Sequence, residues 1–304
     1  METLRTPDER FTDLPDFGYD PHYADVPDQD GGTLRMAWVE SGPADGPTVL
    51  LLHGEPSWSF LYRHVMRVLA DAGIHAVAVD LVGFGRSDKP VDTAAHTYAR
   101  HVEWVRSLVL DVLDLREVTL VGQDWGGLIG LRLVAENPDR FASVVAANTG
   151  LPTGDHDMPE VWWSFRRAVE NAEVLDVGRF VASGCARGLG DESRAAYDAP
   201  FPDETYKAGP RVMPGLIPTS TDDPATEANR RAWDELTRWE KPFLVAFGDS
   251  DPITGAMAPV LKRNIPGAKG VTHPVIDRAG HFLQEDAGEE LGRVVADFVT
   301  SGKG

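Results

Sequence analysis

This chain is poor in the residues that form disulfides and metal clusters. It has a single cysteine, Cys185, which excludes a disulfide bond within the chain. Its histidines and this cysteine do not show the spacing of a metal site, and we expect catalysis or binding without a metal or an organic cofactor. No apolar run is long enough to cross a bilayer, and residues 1–10 lack the apolar centre of a signal peptide. The sequence therefore predicts a cytoplasmic protein.

Basic residues are also scarce relative to acidic ones. The chain has 29 lysine and arginine residues against 48 aspartate and glutamate residues, which gives a formal net charge of −19. Such a charge repels the phosphates of nucleic acids and of anionic lipids, so neither is an expected partner. We interpret the acidity as a well-solvated surface, and we expect a monomer whose partners are a small substrate, water and small products.

The pattern of apolar residues predicts an α/β fold. With 304 residues, 42% of them hydrophobic, the chain is long enough for one large domain with a substantial core. Short, nearly continuous apolar runs, which are typical of buried parallel strands, alternate with stretches of helical periodicity. The predicted strands are 34–40, 47–53, 74–80, a run that starts at 118, 143–148, 242–248 and 271–277.

Three segments depart from this alternation. Residues 1–31, rich in proline, aspartate and tyrosine, are expected to form an irregular arm on the surface, and residues 301–304 a frayed tail. In residues 150–229, clusters of turn residues separate short helical stretches. We expect this segment to be a helical cap inserted between two sheet strands, over the strand ends where α/β folds bind ligands. The predicted main domain then comprises residues 1–149 and 230–304.

The predicted chemistry is centred on Asp124. An apolar run that starts at Val118 ends in Gly-Gln-Asp-Trp-Gly-Gly, residues 122–127, and a helix-forming stretch follows at once. This is the layout of a nucleophile elbow, with an aspartate where the usual motif has serine. A Cβ atom at Gly122 or Gly126 should clash with the opposing backbone, and the N–H groups of the following helix favour an anion at the tip. The segment predicts Asp124 as an ionised nucleophile; the alternative is that it only caps the helix.

A carboxylate nucleophile requires a base and an acid elsewhere in the chain. It suits attack on saturated carbon, and water must then hydrolyse the resulting ester with the help of a base, for which histidine titrates closest to neutral pH. His281 follows the last predicted strand and is the candidate base. Asp251 is the preferred acid to orient it, Asp249 is the local rival, and Asn148, at the end of the strand before the cap, is a neutral and poorer partner. Nucleophile, acid and base then follow in the chain order of α/β-hydrolases.

The segment His53-Gly-Glu-Pro56 lies where the oxyanion-hole loop of such an enzyme belongs. We expect the backbone N–H groups of Glu55 and Trp125 to stabilise the carbonyl oxygen of the ester as it becomes tetrahedral. His53 could itself be a base, but a structural role in shaping this turn is the favoured interpretation.

At these residues the chain resembles the haloalkane dehalogenases. The resemblance extends over nearly the whole chain and implies an α/β-hydrolase fold with a mostly parallel central sheet and an inserted helical cap. It also implies hydrolysis of the carbon–halogen bond of a haloalkane to a primary alcohol, halide and a proton, through an ester on Asp124. The segments that carry it are HGEPSWSFLY at 53–62, GFGRSDKP at 83–90, QDWGG at 123–127 and APFPD at 199–203.

Two departures from other branches of this family indicate which branch the chain resembles. Glu55 stands where other branches have a halide-binding asparagine, and Asn148 stands where they have the catalytic acid. The resemblance therefore implies the branch that takes its acid after the later strand. That branch holds the halide with two tryptophans, one beside the nucleophile and one in the cap.

Tryptophan suits a halide because it has one N–H donor and no acceptor. Trp125 is adjacent to the nucleophile, and the cap offers Trp162 and Trp163. Neighbouring residues on a helix point about 100° apart, so only one of the two is expected to face a cavity. The Trp-x-x-Phe spacing of the family favours Trp162, with Trp163 as the alternative.

Other functions share parts of this pattern. Epoxide hydrolases resemble the chain in an aspartate followed by Trp-Gly-Gly, but they use paired cap tyrosines; this cap has Tyr197 and Tyr206, and Tyr197 lies in a dehalogenase-like stretch. A carboxylesterase is disfavoured because Asp124 replaces the serine needed for acyl transfer. A non-catalytic protein that binds a small molecule under its cap would have the same fold. Halide release from a bromoalkane separates the dehalogenase from all of these.

Overall fold

The computed structural model describes residues 1–301; residues 302–304, which belong to the expected tail, lie outside the described residues. The strands are β1 (Thr3–Leu4), β2 (Pro21–Pro27), β3 (Thr33–Ser41), β4 (Thr48–Leu52), β5 (His75–Asp80), β6 (Lys89–Pro90), β7 (Val118–Gln123), β8 (Phe141–Ala147), β9 (Phe243–Val245), β10 (Phe247–Gly248) and β11 (Val275–Ile276).

The helices flank the strands and also fill the segment between β8 and β9. The α-helices are α1 (Arg63–Asp71), α2 (Tyr98–Arg106), α3 (Trp125–Glu136), α4 (Glu160–Asn171), α5 (Val177–Ser183), α6 (Asp191–Asp198), α7 (Ala208–Val212), α8 (Thr226–Leu236), α9 (Met257–Asn264) and α10 (Leu283–Ser301). Helix α10 is kinked at Ala287, whose φ of −149° and ψ of 39° are not helical. Short 3₁₀ helices occupy Asp8–Phe11, Ser59–Tyr62, Thr93–Ala95, Pro138–Arg140, Glu204–Tyr206, Met213–Leu216 and Pro266–Ala268, and a π-helical turn occupies Ser107–Val112.

The central sheet has seven strands in the order β2–β3–β5–β4–β7–β8–β9. The pairs from β5 to β9 are parallel, whereas β3 pairs antiparallel with both β2 and β5. Helices α1 and α10 pack on each other, and α3 packs on α2 and α8. Strands β4, β5 and β7 are almost entirely buried, as expected of parallel strands covered on both faces. The predicted α/β-hydrolase fold with a mostly parallel sheet is confirmed.

The N-terminal segment differs from the irregular arm that the sequence suggested. Its β2 strand forms the edge of the main sheet and pairs along its whole length with β3. Only Val26 of β2 is buried, so backbone hydrogen bonds rather than an apolar face hold this strand. A strand of this kind, with proline at both ends, leaves no alternating apolar pattern in the sequence.

The last strand is shorter than expected. Only β11 forms within the predicted segment 271–277, and it pairs with β10 outside the main sheet. The imidazole of His273 takes the place of a strand neighbour: Nδ1 accepts the N–H of Val245 at 3.1 Å, and Nε2 donates to the carbonyl of Ala268 at 3.0 Å. Pro274 next to it has no N–H to donate to a ladder.

The segment between β8 and β9 contains α4 to α8. Helices α5 and α6 pack on each other, whereas α8 packs on α3 of the main domain. The expected boundary between residues 229 and 230 falls inside α8, which begins at Thr226. We therefore propose that the cap ends at Ala225. Across residues 1–301, every helix is too short or too polar to cross a membrane.

Candidate active site

Asp124 lies at the tip of the turn between β7 and α3, and its backbone is strained. Its φ of 49° and ψ of −125° lie in a region that residues with a side chain rarely adopt. The flanking glycines allow the chain to pass close to its neighbours. A Cβ atom at Gly126 would lie 2.0 Å from the carbonyl oxygen of Leu52, and one at Gly122 would lie 2.7 Å from the Cα of Gly127. The predicted clash with backbone at both glycines is confirmed.

The carboxylate of Asp124 faces the other predicted site residues rather than its own helix. Asp124 occupies the N-cap position of α3, but its side chain makes no capping hydrogen bond there. Its Oδ1 accepts the backbone N–H of Glu55 at 2.8 Å, and its Oδ2 lies 3.4 Å from Nε2 of His281. Trp125 begins α3, so its N–H is among those that lack a helical acceptor. These contacts do not support a role for Asp124 as a helix cap alone.

The imidazole of His281 is buried between two carboxylates. Its Nδ1 lies 3.2 Å from each carboxylate oxygen of Asp251, and its Nε2 faces Asp124. Burial lowers the pKa of His281, but the two carboxylates outweigh this and raise the pKa to about 10. Burial raises the pKa of Asp251, but the charge and hydrogen bond of His281 outweigh it, so the pKa lies below its usual value. The two carboxylates therefore favour the protonated form of the imidazole in the free site.

Two amide side chains hold the backbone of the His281 loop. Asn148 donates from Nδ2 to the carbonyls of Gly280 at 2.7 Å and His281 at 3.0 Å, and its Oδ1 accepts the N–H of Gly248 at 2.9 Å. Gln123 donates from Nε2 to the carbonyl of His281 at 3.1 Å. Asn148, weighed from the sequence as a poorer acid, thus contacts the backbone rather than the imidazole. Gln123 was not among the site residues predicted from the sequence, although its position directly before Asp124 could have indicated it.

Asp249 and His53, the other acid and the other base considered from the sequence, form hydrogen bonds with backbone groups rather than with the His281 imidazole. Asp249 is exposed, and its Oδ1 accepts the N–H of Ala279 at 3.3 Å, as expected of a turn-forming residue. The ring of His53 is buried, with Nδ1 donating to the carbonyl of Gly54 at 2.9 Å and Nε2 accepting the N–H of Leu81 at 3.0 Å. Both ring nitrogens of His53 are therefore occupied by backbone groups.

Trp125 and Trp162 line one cavity together with Asp124. Both are nearly inaccessible, with exposed fractions of 1% and 3%. The indole N–H of Trp125 is buried and finds no acceptor among residues 1–301. Trp163 packs edge-on against Trp162, with ring centroids 4.8 Å apart, and does not line this cavity. The structure thus places Trp162, and not Trp163, at the cavity.

Glu55 brings a second carboxyl group next to the nucleophile. Burial, followed by the nearby charge of Asp124, raises the pKa of Glu55 well above its usual value. Its Oε1 is buried and has no partner among the described residues. The raised pKa favours the protonated side chain, which adds no negative charge to the cavity.

Two adjoining cavities reach Asp124. The first has a volume of about 430 Å³ and is lined by Glu55, Trp125 and His281 together with apolar side chains such as Phe165 and Phe180. The second has a volume of about 530 Å³ and is lined mainly by apolar side chains. Residues that line only the second include Leu128, Leu151, Met158, Trp233, Met257 and Val260, and those that line both are Asp124, Trp162, Ile217, Pro252 and Ile253.

The sheet order and the elbow define the class of protein. A nucleophile position after the central strand β7, followed in the chain by an acid and a histidine, is the arrangement of an α/β-hydrolase. The family model described as alpha/beta hydrolase fold matches residues 47–288 of this chain.

Individual relatives identify the family within that class. The chain is 52% identical over 299 residues to a haloalkane dehalogenase of Psychrobacter cryohalolentis, with 98% of each chain covered. It is 51% identical to one of Mycolicibacterium paratuberculosis, with 96% of each covered. Among solved structures, the tetrameric haloalkane dehalogenase DpaA from Paraglaciecola agarilytica matches with a TM-score of 0.88 and 36% identity, over 97% of both chains. The chain therefore belongs to the haloalkane dehalogenase family, hydrolases that act on carbon–halide bonds.

Proposed function

We propose that Asp124, His281 and Asp251 carry out the carbon–halide hydrolysis of this enzyme as nucleophile, base and acid. The observation that carries this assignment is a single imidazole whose Nε2 faces Asp124 and whose Nδ1 faces Asp251. The overall reaction converts a haloalkane and water to an alcohol, halide and one proton.

In the first step, a carboxylate oxygen of Asp124 attacks the carbon that bears the halogen. An ester bond forms between this oxygen and the carbon, and the electron pair of the carbon–halogen bond leaves with the halide. The indole N–H groups of Trp125 and Trp162 stabilise the departing halide. A protonated Glu55 favours this step because a second carboxylate in the cavity would repel the leaving anion.

Ester formation prepares His281 for the second step. Because the ester is neutral, Asp124 no longer favours the imidazolium, and His281 releases a proton. Its free Nε2 then accepts a proton from water, whose oxygen adds to the ester carbonyl, while Asp251 stabilises the imidazolium through Nδ1. The backbone N–H groups of Glu55 and Trp125 stabilise the resulting oxyanion. Collapse breaks the bond between the carboxyl carbon and the alkyl oxygen, and this oxygen takes the proton of the hydroxyl that water supplied and leaves as the alcohol. The site returns to a carboxylate beside an imidazolium.

The two cavities suggest where each part of the substrate lies. Water must reach Nε2 of His281, and the halide must reach Trp125, and both of these groups line only the first cavity. If the alkyl chain occupies the second cavity, the first cavity remains free for water and halide, and the reacting carbon lies at Asp124. We therefore assign the alkyl chain to the second cavity.

The cap tyrosines do not support an epoxide hydrolase. The hydroxyl of Tyr197 donates to the carboxylate of Glu285, and neither Tyr197 nor Tyr206 lines the two cavities. Among residues 1–301, therefore, no tyrosine pair lines the cavities at Asp124 as the proton donors of that class would. A non-catalytic binding protein would have no need of an imidazole between two carboxylates.

The experiment that tests the proposed roles is His281→Gln. Only the second step needs the base, so we expect this variant to release one halide per enzyme and then to stop as an alkyl-enzyme. Intact-mass measurement after treatment with 1,2-dibromoethane should show the added alkyl group. One halide released without a gain in mass would contradict the ester mechanism.

Asp124→Ala is the matched variant for the first step, and Asp249→Ala is the control on the acid loop. We expect Asp124→Ala to release no halide and to gain no mass, because no oxygen remains to form the ester. Asp249→Ala removes one hydrogen bond to the N–H of Ala279 in the loop of His281 but leaves Asp251 in place, so turnover should fall by no more than about 10-fold. Steady halide release by Asp124→Ala would refute the nucleophile.

We also propose that the protein is a monomer and that it acts in the cytoplasm. The exposed large apolar side chains among residues 1–301 each lie on a different strand, helix or loop, and are Met1, Tyr23, Val112, Val161, Val174 and Val275. Because one structural relative is tetrameric, light scattering after size-exclusion chromatography is the appropriate test of the oligomeric state.

A further inference from the structure

Two buried carboxylates that follow the base along the chain connect the cap to the main domain. Glu285 pairs with Arg63 of α1, with Oε2 2.8 Å from Nη2, and accepts the hydroxyl of Tyr197 from α6 of the cap. Asp286 is 6% exposed and lies directly before the kink of α10. Neither residue has a part in the proposed chemistry, and Asp286 makes the contacts closest to His281.

The carboxylate of Asp286 accepts three backbone N–H groups. Its Oδ2 accepts those of Gly280 and Ala186, each at 2.8 Å, and its Oδ1 accepts that of Arg187 at 2.7 Å. Gly280 immediately precedes His281, and Ala186 lines the first cavity. One side chain thus holds both the loop of the base and the cap turn that forms a wall of the cavity.

The cap turn 184–187 and the base loop 277–281 also lie in direct contact. A Cβ atom at Gly280 would lie 2.4 Å from the carbonyl oxygen of Gly184. The guanidinium of Arg187 donates to the carbonyls of Asp277 at 2.8 Å and Arg278 at 3.3 Å. No strand or helix forms within 277–281, so the loop is held by these contacts, by those of Asn148 and Gln123, and by the hydrogen bond from the N–H of Ala279 to Asp249.

We infer that Asp286 is a positioning residue for His281 in the hydrolysis of the alkyl-enzyme. An ionised carboxylate has two oxygens and no donor, so it can accept all three N–H groups, which a neutral side chain of the same size cannot do. Through Gly280 it holds the imidazole where Nε2 can reach water at the ester. The first step needs Asp124 and the tryptophans but no base, and so it does not depend on Asp286. This inference rests on the proposed role of His281.

The test compares Asp286→Ala and Asp286→Asn with the wild type in single turnovers of 1,2-dibromoethane. Rapid quenching followed by intact-mass measurement gives the rate at which the alkyl-enzyme forms and the rate at which it decays. We expect decay to slow about 100-fold in Asp286→Ala, because misplacement by about 1 Å has an effect of this size. Asn can still accept two of the three N–H groups, and we expect decay to slow about 10-fold. Formation should stay within about threefold in both variants.

Asp297→Asn is the matched control, because it removes a carboxylate from the exposed side of the same helix. It should form and hydrolyse the alkyl-enzyme at the wild-type rates. Equal slowing of both steps in the Asp286 variants, or decay at the wild-type rate in both, would overturn the inference. If Asp286→Ala does not fold, Asp286→Asn alone decides by the same criteria.

The proposed function and this inference fail in different ways. If His281→Gln accumulates no alkyl-enzyme, the role of His281 is wrong and Asp286 has no base to position. If His281→Gln accumulates the alkyl-enzyme while both Asp286 variants hydrolyse it normally, only the role of Asp286 is wrong.

Discussion

Nε2 of His281 lies 3.4 Å from Oδ2 of Asp124, so the base of the proposed second step already touches the nucleophile of the first. In the proposed mechanism, esterification of Asp124 removes one of the two carboxylates that raise the pKa of His281, the other being Asp251. While Asp124 is a free carboxylate it favours an imidazolium, and once it is an ester it no longer does.

The stability of the protein should depend on pH through His281. Its pKa rises from about 6.5 in the unfolded chain to about 10 in the folded protein, so the stabilisation is fully present below the lower value and is lost as pH rises to the upper one. Between these values we expect the free energy of unfolding to fall more steeply in the wild type than in His281→Gln. Urea denaturation at several pH values measures this. His156→Gln, which changes an exposed histidine, is the control and should match the wild type.

Halide binding should distinguish the two cap tryptophans. Because Trp162 lines the cavity and Trp163 does not, we expect Trp162→Phe to raise the dissociation constant for bromide by about 10-fold or more, as expected for a lost hydrogen bond to a charge. Trp163→Phe keeps the aromatic ring and should change the constant less than about twofold. Isothermal titration with sodium bromide gives both values. The reverse order of effects would assign the halide to Trp163.

The preference for the length of the bromoalkane substrate should depend on the second cavity. Val260 lines only the second cavity and Cys185 only the first, and both are half-buried. We expect Val260→Trp to lower kcat/KM for 1-bromohexane about 10-fold while bromoethane is converted at nearly the wild-type rate. Cys185→Phe should lower the values for both substrates, since it narrows the space for water and halide. Selective loss of 1-bromohexane in Cys185→Phe would place the chain in the first cavity instead.

The elbow should not tolerate a side chain at Gly126. A Cβ atom there would lie 2.0 Å from the carbonyl oxygen of Leu52, and backbone on both sides would have to move. We expect Gly126→Ala to lower the free energy of unfolding by about 3 kcal/mol or more. Gly18 is exposed with no atom within 4 Å of its Cβ position, so Gly18→Ala is a matched control and should stay within about 0.5 kcal/mol. Thermal unfolding of the two variants gives the comparison.

Local patterns predicted the strands around the site well because burial on both faces leaves a continuous apolar run. Strands β4, β5, β7 and β8 appear where the sequence suggested, and Gly122 and Gly126 have the close contacts expected of an elbow. The N-terminal strand β2 was not predicted. It is held by backbone hydrogen bonds to β3, and such bonds produce no apolar periodicity in the sequence. The short β11 was overestimated, because the side chain of His273 replaces part of a strand.

The sequence by itself determined the residue types of the chemistry and their order, because the elbow and its glycines are local and the branch-specific motifs are contiguous. Only the tertiary structure shows that Asp251 rather than Asp249 faces the imidazole, that Trp162 rather than Trp163 lines the cavity, and what Asn148 and Asp286 hold. These choices depend on distances between segments far apart in the chain, such as the 3.2 Å between Asp251 and the imidazole. Such distances result from how the strands and the cap pack, which no local pattern of residues contains.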